Sequence, residues 1–388
     1  MPARKWQHLA MDLFVWAEDS ENALRAEILD AYRSARIEAI HGLLSVEFPP
    51  PTSAAPAPFL VFARQQLPNA QPVNAESVRN WADAILTQAI AGLPDDQPWA
   101  LHVAPHYAPS TTHHIGARAW HSVTRHKTAP GHLEPAAKTP NPEAGQRRCQ
   151  LIQEAVRDTL RKNCRTLLRH LHPAPRPFAE TDSLVQALLT SPESGFISVA
   201  RTPLPFQLRR VVSPFPKGDV PVAVDKNAPS RAFAKLVEAE QRLGLGIQAG
   251  QTCVDLGASP GSWSYVAVQR GAKVIAVDRS PLRDDLMRHQ AVHFSPGDAF
   301  QFSPPRPVDW LLCDVIAAPE RSAELLLQWL SRGWCRNFIV TIKLKDDSGE
   351  KPINLLKQRL PDLCRQAFLT RLCANKREIC AFGVARLD

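Results

Sequence analysis

The stretch Cys253 to Asp278 reads "CVDLGASPGSWSYVAVQRGAKVIAVD". An apolar strand, a turn with two glycines, a helical run and a second apolar strand ending in an acid predict the opening of a nucleotide-binding βαβ unit. Downstream the alternation continues: "LRDDLMRHQ", "AVHF", "VDWLLCDV", "ERSAELLLQWLSRGW", "FIVTIKL", "INLLKQRLPDLC", and two closing strands, "FLTRLC" and "EICAFGVA". This pattern predicts an α/β fold, a mostly parallel doubly wound sheet with its ligand at the carboxyl ends of the strands.

The turn "DLGASPGSW" narrows the ligand. A dinucleotide fingerprint needs GxGxxG so that backbone amides reach a pyrophosphate. Here Ser259 stands at the middle glycine and Pro260 has no amide proton. S-adenosylmethionine carries no phosphate, only an amino-acid end, a sulfonium, a ribose and an adenine. Asp255, two residues before Gly257, suits a cationic ligand. Asp278 ends the second strand, where it is placed to accept ribose hydroxyls, and Asp298 follows the third, where it is placed to receive an adenine amino group. Three acids in succession favour the sulfonium cofactor over NADP.

Upstream, "LFVWA", "ENALRAEILDAYRSA" and "GLLSVEF" read strand, helix, strand, and "FLVFARQ" follows a proline-rich break; together they are compatible with a small α+β domain. A second unit opens with the helical "AESVRNWADAILTQAIAG" and carries a polar stretch from His102 to Gly145 with seven of the thirteen histidines. Those histidines show no metal-ligand spacing, so a solvated insertion is expected there and no metal. A basic helix follows, "RRCQLIQEAVRDTLRKNCRTLLRHLH", with an apolar stripe of Ile152, Val156, Leu160, Leu167 and Leu171. Its arginines are either a solvated face or a phosphate-tracking surface. The net charge of +8 favours a polyanionic partner. The eight cysteines form no CxxC pair, which points to a reducing cytoplasm, and no segment approaches a membrane span.

The reaction is not written in the loop. Base-amino methylation commonly uses an Asn/Asp-Pro-Pro-aromatic turn after the fourth strand, where this chain has "LLCDVIAAP"; Cys313 lacks the setting of a pyrimidine-attacking nucleophile. Polar groups in suitable places are Lys235 in "SRAFAKLVEA", Asp314, Lys343 in "VTIKL" and Glu378 in "KREICAF". Taken singly, Lys235 and Lys343 are ordinary solvent-facing lysines, Glu378 an edge-strand charge and Asp314 a helix cap. In order, and attached to a cofactor loop, they read as catalytic.

On these residues the chain resembles the RrmJ/FtsJ class of RNA ribose methyltransferases, whose Lys-Asp-Lys-Glu tetrad matches Lys235, Asp314, Lys343 and Glu378. "APSRAFAKLVEA", "VDLGASPGSWSY", "VDWLLCD" and "LQWLSRGWCR" carry the resemblance, over about residues 212 to 345. It is most like the members that methylate a cytidine ribose in 23S rRNA. The resemblance implies a ferredoxin-like domain over 1–74, a THUMP-like RNA-binding domain over 75–211 and a Rossmann-like methyltransferase domain over 212–388. It also implies RNA as partner, and a cofactor site lined by Asp255, Gly257, Ser259, Pro260, Gly261, Ser262, Trp263, Asp278, Asp298 and Asp314. Ser262 replaces the class's second loop glycine, so its side chain is expected where the cofactor carboxylate would approach; Ala232 replaces a cofactor-contacting serine. Lys343 would be the base if desolvation and the nearby cation lowered its pKa, and an orienting cation if Asp314 and Glu378 raised it. The competing reading is a non-catalytic RNA-binding or ribosome-assembly protein on a methyltransferase scaffold.

Overall fold

The computed structural model describes residues 11–48, 59–94, 96–107, 142–172, 182–201, 211–344, 350–375 and 377–387. Contacts divide it into two compact units, Leu67–Pro175 with Thr181–Thr202, and Met11–Gln66 with Pro203–Asp388. The histidine-rich stretch over 108–141 lies outside the described residues.

The second unit begins with β1 (Met11–Trp16), α1 (Glu21–Ala31), β2 (Arg36–Ile40) and β3 (Leu43–Glu47). β3 pairs antiparallel with both β1 and β2. The sequence reading passes over β2, because "RIEAI" is short, mostly exposed and carries only a weak apolar alternation. The turn makes the hairpin: His41 and Gly42 both take positive φ, 50° and 77°, as a two-residue primed turn requires. "FLVFARQ" is only partly strand. β4 (Ala63–Asn74) starts late, and the Glu27 carboxylate of α1 instead accepts the Val61 and Phe62 amides at 3.2 and 3.0 Å.

From Leu67 the chain builds the first unit: α2 (Val78–Gly92), β5 (Trp99–Pro105), α3 (Pro142–Asn163), α4 (Arg165–His170), β6 (Ser183–Leu189) and β7 (Ser194–Ala200). Its strand order is β4-β7-β6-β5, with only β5 and β6 parallel. Ser77 caps α2 by accepting the Asn80 amide at 3.1 Å. Trp81 and Ile85 of α2 meet Ile152, Val156 and Leu160 of α3 over Val185 and Ile197. The apolar stripe read on α3 is therefore core. Arg161, Lys162, Arg165 and Arg169 are exposed.

After a 3-10 turn at Pro216–Gly218 the second unit resumes with α5 (Phe233–Leu243), β8 (Thr252–Leu256), α6 (Ser262–Gln269), β9 (Lys273–Asp278), α7 (Asp284–Met287), β10 (Val292–Pro296), β11 (Val308–Cys313), α8 (Pro319–Ser331), β12 (Cys335–Lys343), α9 (Glu350–Leu363), β13 (Cys364–Thr370) and β14 (Glu378–Ala385). The sheet runs β10-β9-β8-β11-β12-β14-β13. It is parallel from β10 to β12, and β14 enters antiparallel between β12 and β13. This is the α/β fold with a mostly parallel, doubly wound sheet that the alternation predicts. β8, β11 and β12 are buried on both faces over most of their length, which explains why they are predominantly apolar. The order reverses between β8 and β11, so a crevice opens at their carboxyl ends. Asp255, Gly257 and Asp314 sit there.

Candidate active site

The loop after β8 is shaped by two glycines. Gly257 takes φ of 72°, and a Cβ there would lie 2.9 Å from the Val315 backbone in the loop after β11. Gly261 takes φ of 107° and starts α6. Both positions favour glycine because L side chains are strained at such angles. The Ser259 amide, which a pyrophosphate would need, is already donated to Asp278 at 3.0 Å. Pro260 has none to give. Asp278 also accepts the Ser280 amide at 2.8 Å and stands, half-buried, at the end of β9.

Asp255 is tied to α6. It is 2% exposed, and its carboxylate accepts the Ser264 hydroxyl at 2.6 Å. Burial pushes its pKa up to about 7 against that hydrogen bond. Asp298 follows β10; the Phe300 amide and Arg279, 2.7 Å away, hold its pKa below the ordinary carboxylate value. Ser262 is 4% exposed and its hydroxyl lies 2.7 Å from that of Ser230. The side chain expected beside the cofactor carboxylate is thus hydrogen-bonded to the segment before α5. Trp263 ties the same two segments together, its indole N–H donating to the Ala232 carbonyl at 2.7 Å.

At the mouth of the crevice the four tetrad residues meet. Lys235 comes from α5, Asp314 from the residue after β11, Lys343 from the end of β12 and Glu378 from the start of β14. Lys235 Nζ lies 3.1 and 2.9 Å from the two Asp314 oxygens and 2.8 Å from Glu378 Oε1. Lys343 Nζ donates to Asp314 Oδ1 at 2.7 Å and to Glu378 Oε2. Each ammonium therefore touches both carboxylates, and the formal charges cancel. Burial opposes ionisation of Asp314, but Lys235, Lys343 and the Thr341 hydroxyl together hold its pKa below the ordinary value. Burial alone would lower the pKa of Lys343, yet Asp314 and Glu378 outweigh it and raise the value above that of a free lysine. Lys343 is an ammonium in this site.

Sequence reasoning passed over Thr341, whose hydroxyl donates to Asp314 at 2.5 Å. The available signal was its spacing, two residues before Lys343 and so on the same face of one strand. It also passed over Ser230 and Ser264, which no motif marked. Among the described residues no group of three His, Cys, Asp or Glu is placed to hold a metal ion, and no helix is long and apolar enough to cross a membrane.

Residues 228–372 match the FtsJ-like methyltransferase family model. The match covers the cofactor loop and three of the four tetrad residues, while Glu378 lies just beyond the FtsJ-like segment. Ribosomal RNA large subunit methyltransferase M of Azoarcus sp. (strain BH72) is 38% identical over 171 residues, which is 42% of this chain and 44% of that protein. The protein of the same name from Thauera aminoaromatica is 37% identical over 181 residues, 44% of this chain and 50% of that one. The chain thus spans about half the length of the curated relatives it matches. Among solved structures, a putative hemolysin from Streptococcus thermophilus aligns with 43% of this chain and 70% of that one at 19% identity and a TM-score of 0.36, too low to argue from.

Proposed function

We propose that this chain methylates a ribose 2'-hydroxyl of RNA, at a cytidine of 23S rRNA, with S-adenosylmethionine as donor. The square of Lys235, Asp314, Lys343 and Glu378 carries the reading. A neutral surface needs no such arrangement; two half-buried cations held by one half-buried and one buried acid cost desolvation and suit a site that handles developing charge. The donor set fits the cofactor. A committed Ser259 amide and a missing Pro260 amide disfavour pyrophosphate, and Asp278 retains carboxylate lone pairs for a ribose diol.

The bound cofactor would supply an electrophilic methyl group on a cationic sulfur. Transfer would form one O–C bond, break one S–C bond and release the hydroxyl proton to bulk water. In this reading Gly257, Gly261 and Trp263 shape the cofactor loop, Ser259, Pro260 and Ser262 complete it, and Asp255, Asp278, Asp298 and Asp314 are its acids. Lys343, charged as it stands, orients the hydroxyl by donating to its oxygen and stabilises the negative charge that grows there. Lys235 pairs with both carboxylates and favours the ionised form of Asp314.

The same reading assigns 1–74 to a ferredoxin-like domain, 75–211 to a THUMP-like RNA-binding domain and 212–388 to the catalytic domain. Support for RNA contact comes from Arg161, Lys162, Arg165 and Arg169, exposed in a segment with no carboxylate from 159 to 172.

Purified protein, radiolabelled S-adenosylmethionine and unmodified large-subunit rRNA test the reading, with the product mapped for 2'-O-methyl ribose. Lys343→Ala is expected to lose transfer by about 100-fold or more while calorimetry shows unchanged cofactor binding. Full activity in that variant overturns the tetrad assignment. Absence of cofactor binding in the parent would instead favour the non-catalytic alternative.

A further inference from the structure

Three corners of the tetrad are fixed by the sheet. Asp314 follows β11, Lys343 ends β12, and those strands are hydrogen-bonded neighbours. Glu378 opens β14 directly opposite Lys343 in the β12–β14 ladder. Lys235 belongs to no ladder. It rides on a helix, and whatever holds α5 against the β13–β14 loop sets how well Lys235 meets Glu378.

One buried side chain makes that connection. Glu238 lies one helical turn after Lys235 on α5 and is fully buried. Its Oε1 accepts the Cys373 amide at 2.9 Å and its Oε2 the Ala374 amide at 3.1 Å. Cys373 and Ala374 belong to the turn between β13 and β14. Asn375 continues the chain of contacts by donating its side-chain N–H to the Glu378 carbonyl at 3.1 Å. Arg242, one turn further along α5, braces the carboxylate: its Nε donates to Glu238 Oε1 at 2.9 Å and its Nη2 to the Gly218 carbonyl at 2.8 Å. Helix α5 thus grips the turn that delivers Glu378 at two levels, through Lys235 at the site and through Glu238 beneath it.

We propose that Glu238 is a positioning residue for the methyl-transfer site, setting the separation of Lys235 and Glu378 by holding the Cys373–Ala374 turn against α5. Two backbone amides bound by the two oxygens of one arginine-braced carboxylate form a stiff joint. A site of four mutually dependent charges is sensitive to its slack: if Lys235 withdraws from Glu378, that carboxylate loses one of its two cations. The inference rests on the methyltransferase reading for its kinetic consequence and not for its geometric one.

The test uses the full chain with Glu238→Asp, which keeps a charge facing Arg242 but is one methylene too short to reach both amides. Transfer measured in a single turnover is expected to fall by about 100-fold, with cofactor affinity and rRNA KM within about twofold of the parent. Amide exchange at Cys373 and Ala374 should accelerate. Arg270→Lys, at a residue that pairs with Glu240 further along α5, should keep parental transfer and serves as the control for a general loss of stability. Parental transfer rates in Glu238→Asp, with those amides exchanging freely, overturn the proposal. If Glu238→Asp does not fold, Glu238→Gln takes its place, since it keeps the length and shape and loses one acceptor. Should the parent itself transfer no methyl group, the functional reading fails and a crystal structure of the variant decides the geometry: a Lys235–Glu378 contact unchanged from the parent's rules the proposal out.

Discussion

Lys343 and Asp255 show how the same burial produces opposite charge states. Lys343 has two acids against it and stays charged; Asp255 has the hydroxyl and amide of Ser264 but no cation, and burial pushes it up to about 7. The sequence marked both residues, through "VTIKL" and "VDLG", but residue identity does not carry a balance of desolvation against partners. For Asp255 the sign is unfavourable to stability at neutral pH. Its folded pKa is raised above the unfolded value of about 3.9, so the folded state binds the extra proton between those values and stability falls as pH rises across the window. Asp255→Asn cannot ionise and should lose that slope. Its stability relative to the parent, from urea unfolding, is expected to improve from pH 4 to pH 7 by at most about 4 kcal/mol. A difference that is flat in pH would show that Asp255 ionises without cost. Ser262 was legible as a departure from the class, yet its rotamer was not: the hydroxyl of Ser230, 32 residues earlier, captures it.

Among the elements, regular patterns were read where burial is one-sided or complete, and missed where turns decide. β14 forms over the same residues, 378–385, that the sequence indicated, and β8, β9, β11 and β12 follow their apolar runs. β2 carries too little apolar alternation to announce itself, and β13 forms at 364–370, earlier than "FLTRLC", because its register is set by pairing with β14. α7 shrinks to Asp284–Met287 within a stretch read as longer helix. The strand β12 also carries the missed site residue. Thr341 and Lys343 alternate onto one face and both donate to Asp314. Thr341→Val keeps the shape and removes the donor. It should cost about 1–2 kcal/mol in chemical unfolding and move the acidic limb of the transfer rate to higher pH, since Asp314 then loses one of the bonds that favour its ionised form. An unshifted limb would mean that Thr341 is only packing.

At the scale of the molecule, the N-terminal segment is a structural part of the unit that holds the site. Phe59 and Val61 lie in one core cluster with Val254, Leu256, Phe338 and Val340. Glu27 pairs with Lys357 at 2.5 Å across 330 positions of sequence, and Arg371 donates to the Ser20 hydroxyl at 2.7 Å. A fragment of residues 212–388 would therefore expose apolar surface that Phe59 and Val61 cover. Such a fragment is expected to unfold at a lower temperature than the same residues do in the full chain, or without a cooperative transition, when followed by circular dichroism. An unchanged, cooperative transition would show that the shared core contributes little. The sequence by itself determined the doubly wound sheet and the glycine turn that disfavours a pyrophosphate, because each depends on periodicity or composition within a few neighbouring positions, and it carried the order of the four tetrad residues along the chain. Only the tertiary structure decided that Lys343 holds its proton, that Ser262 turns to Ser230, that Glu238 ties α5 to the turn before Glu378, and that residues 11–66 pack into the unit of the site. These depend on which groups distant in sequence meet in a low-dielectric interior, where a single partner or its absence decides the charge state and the fit.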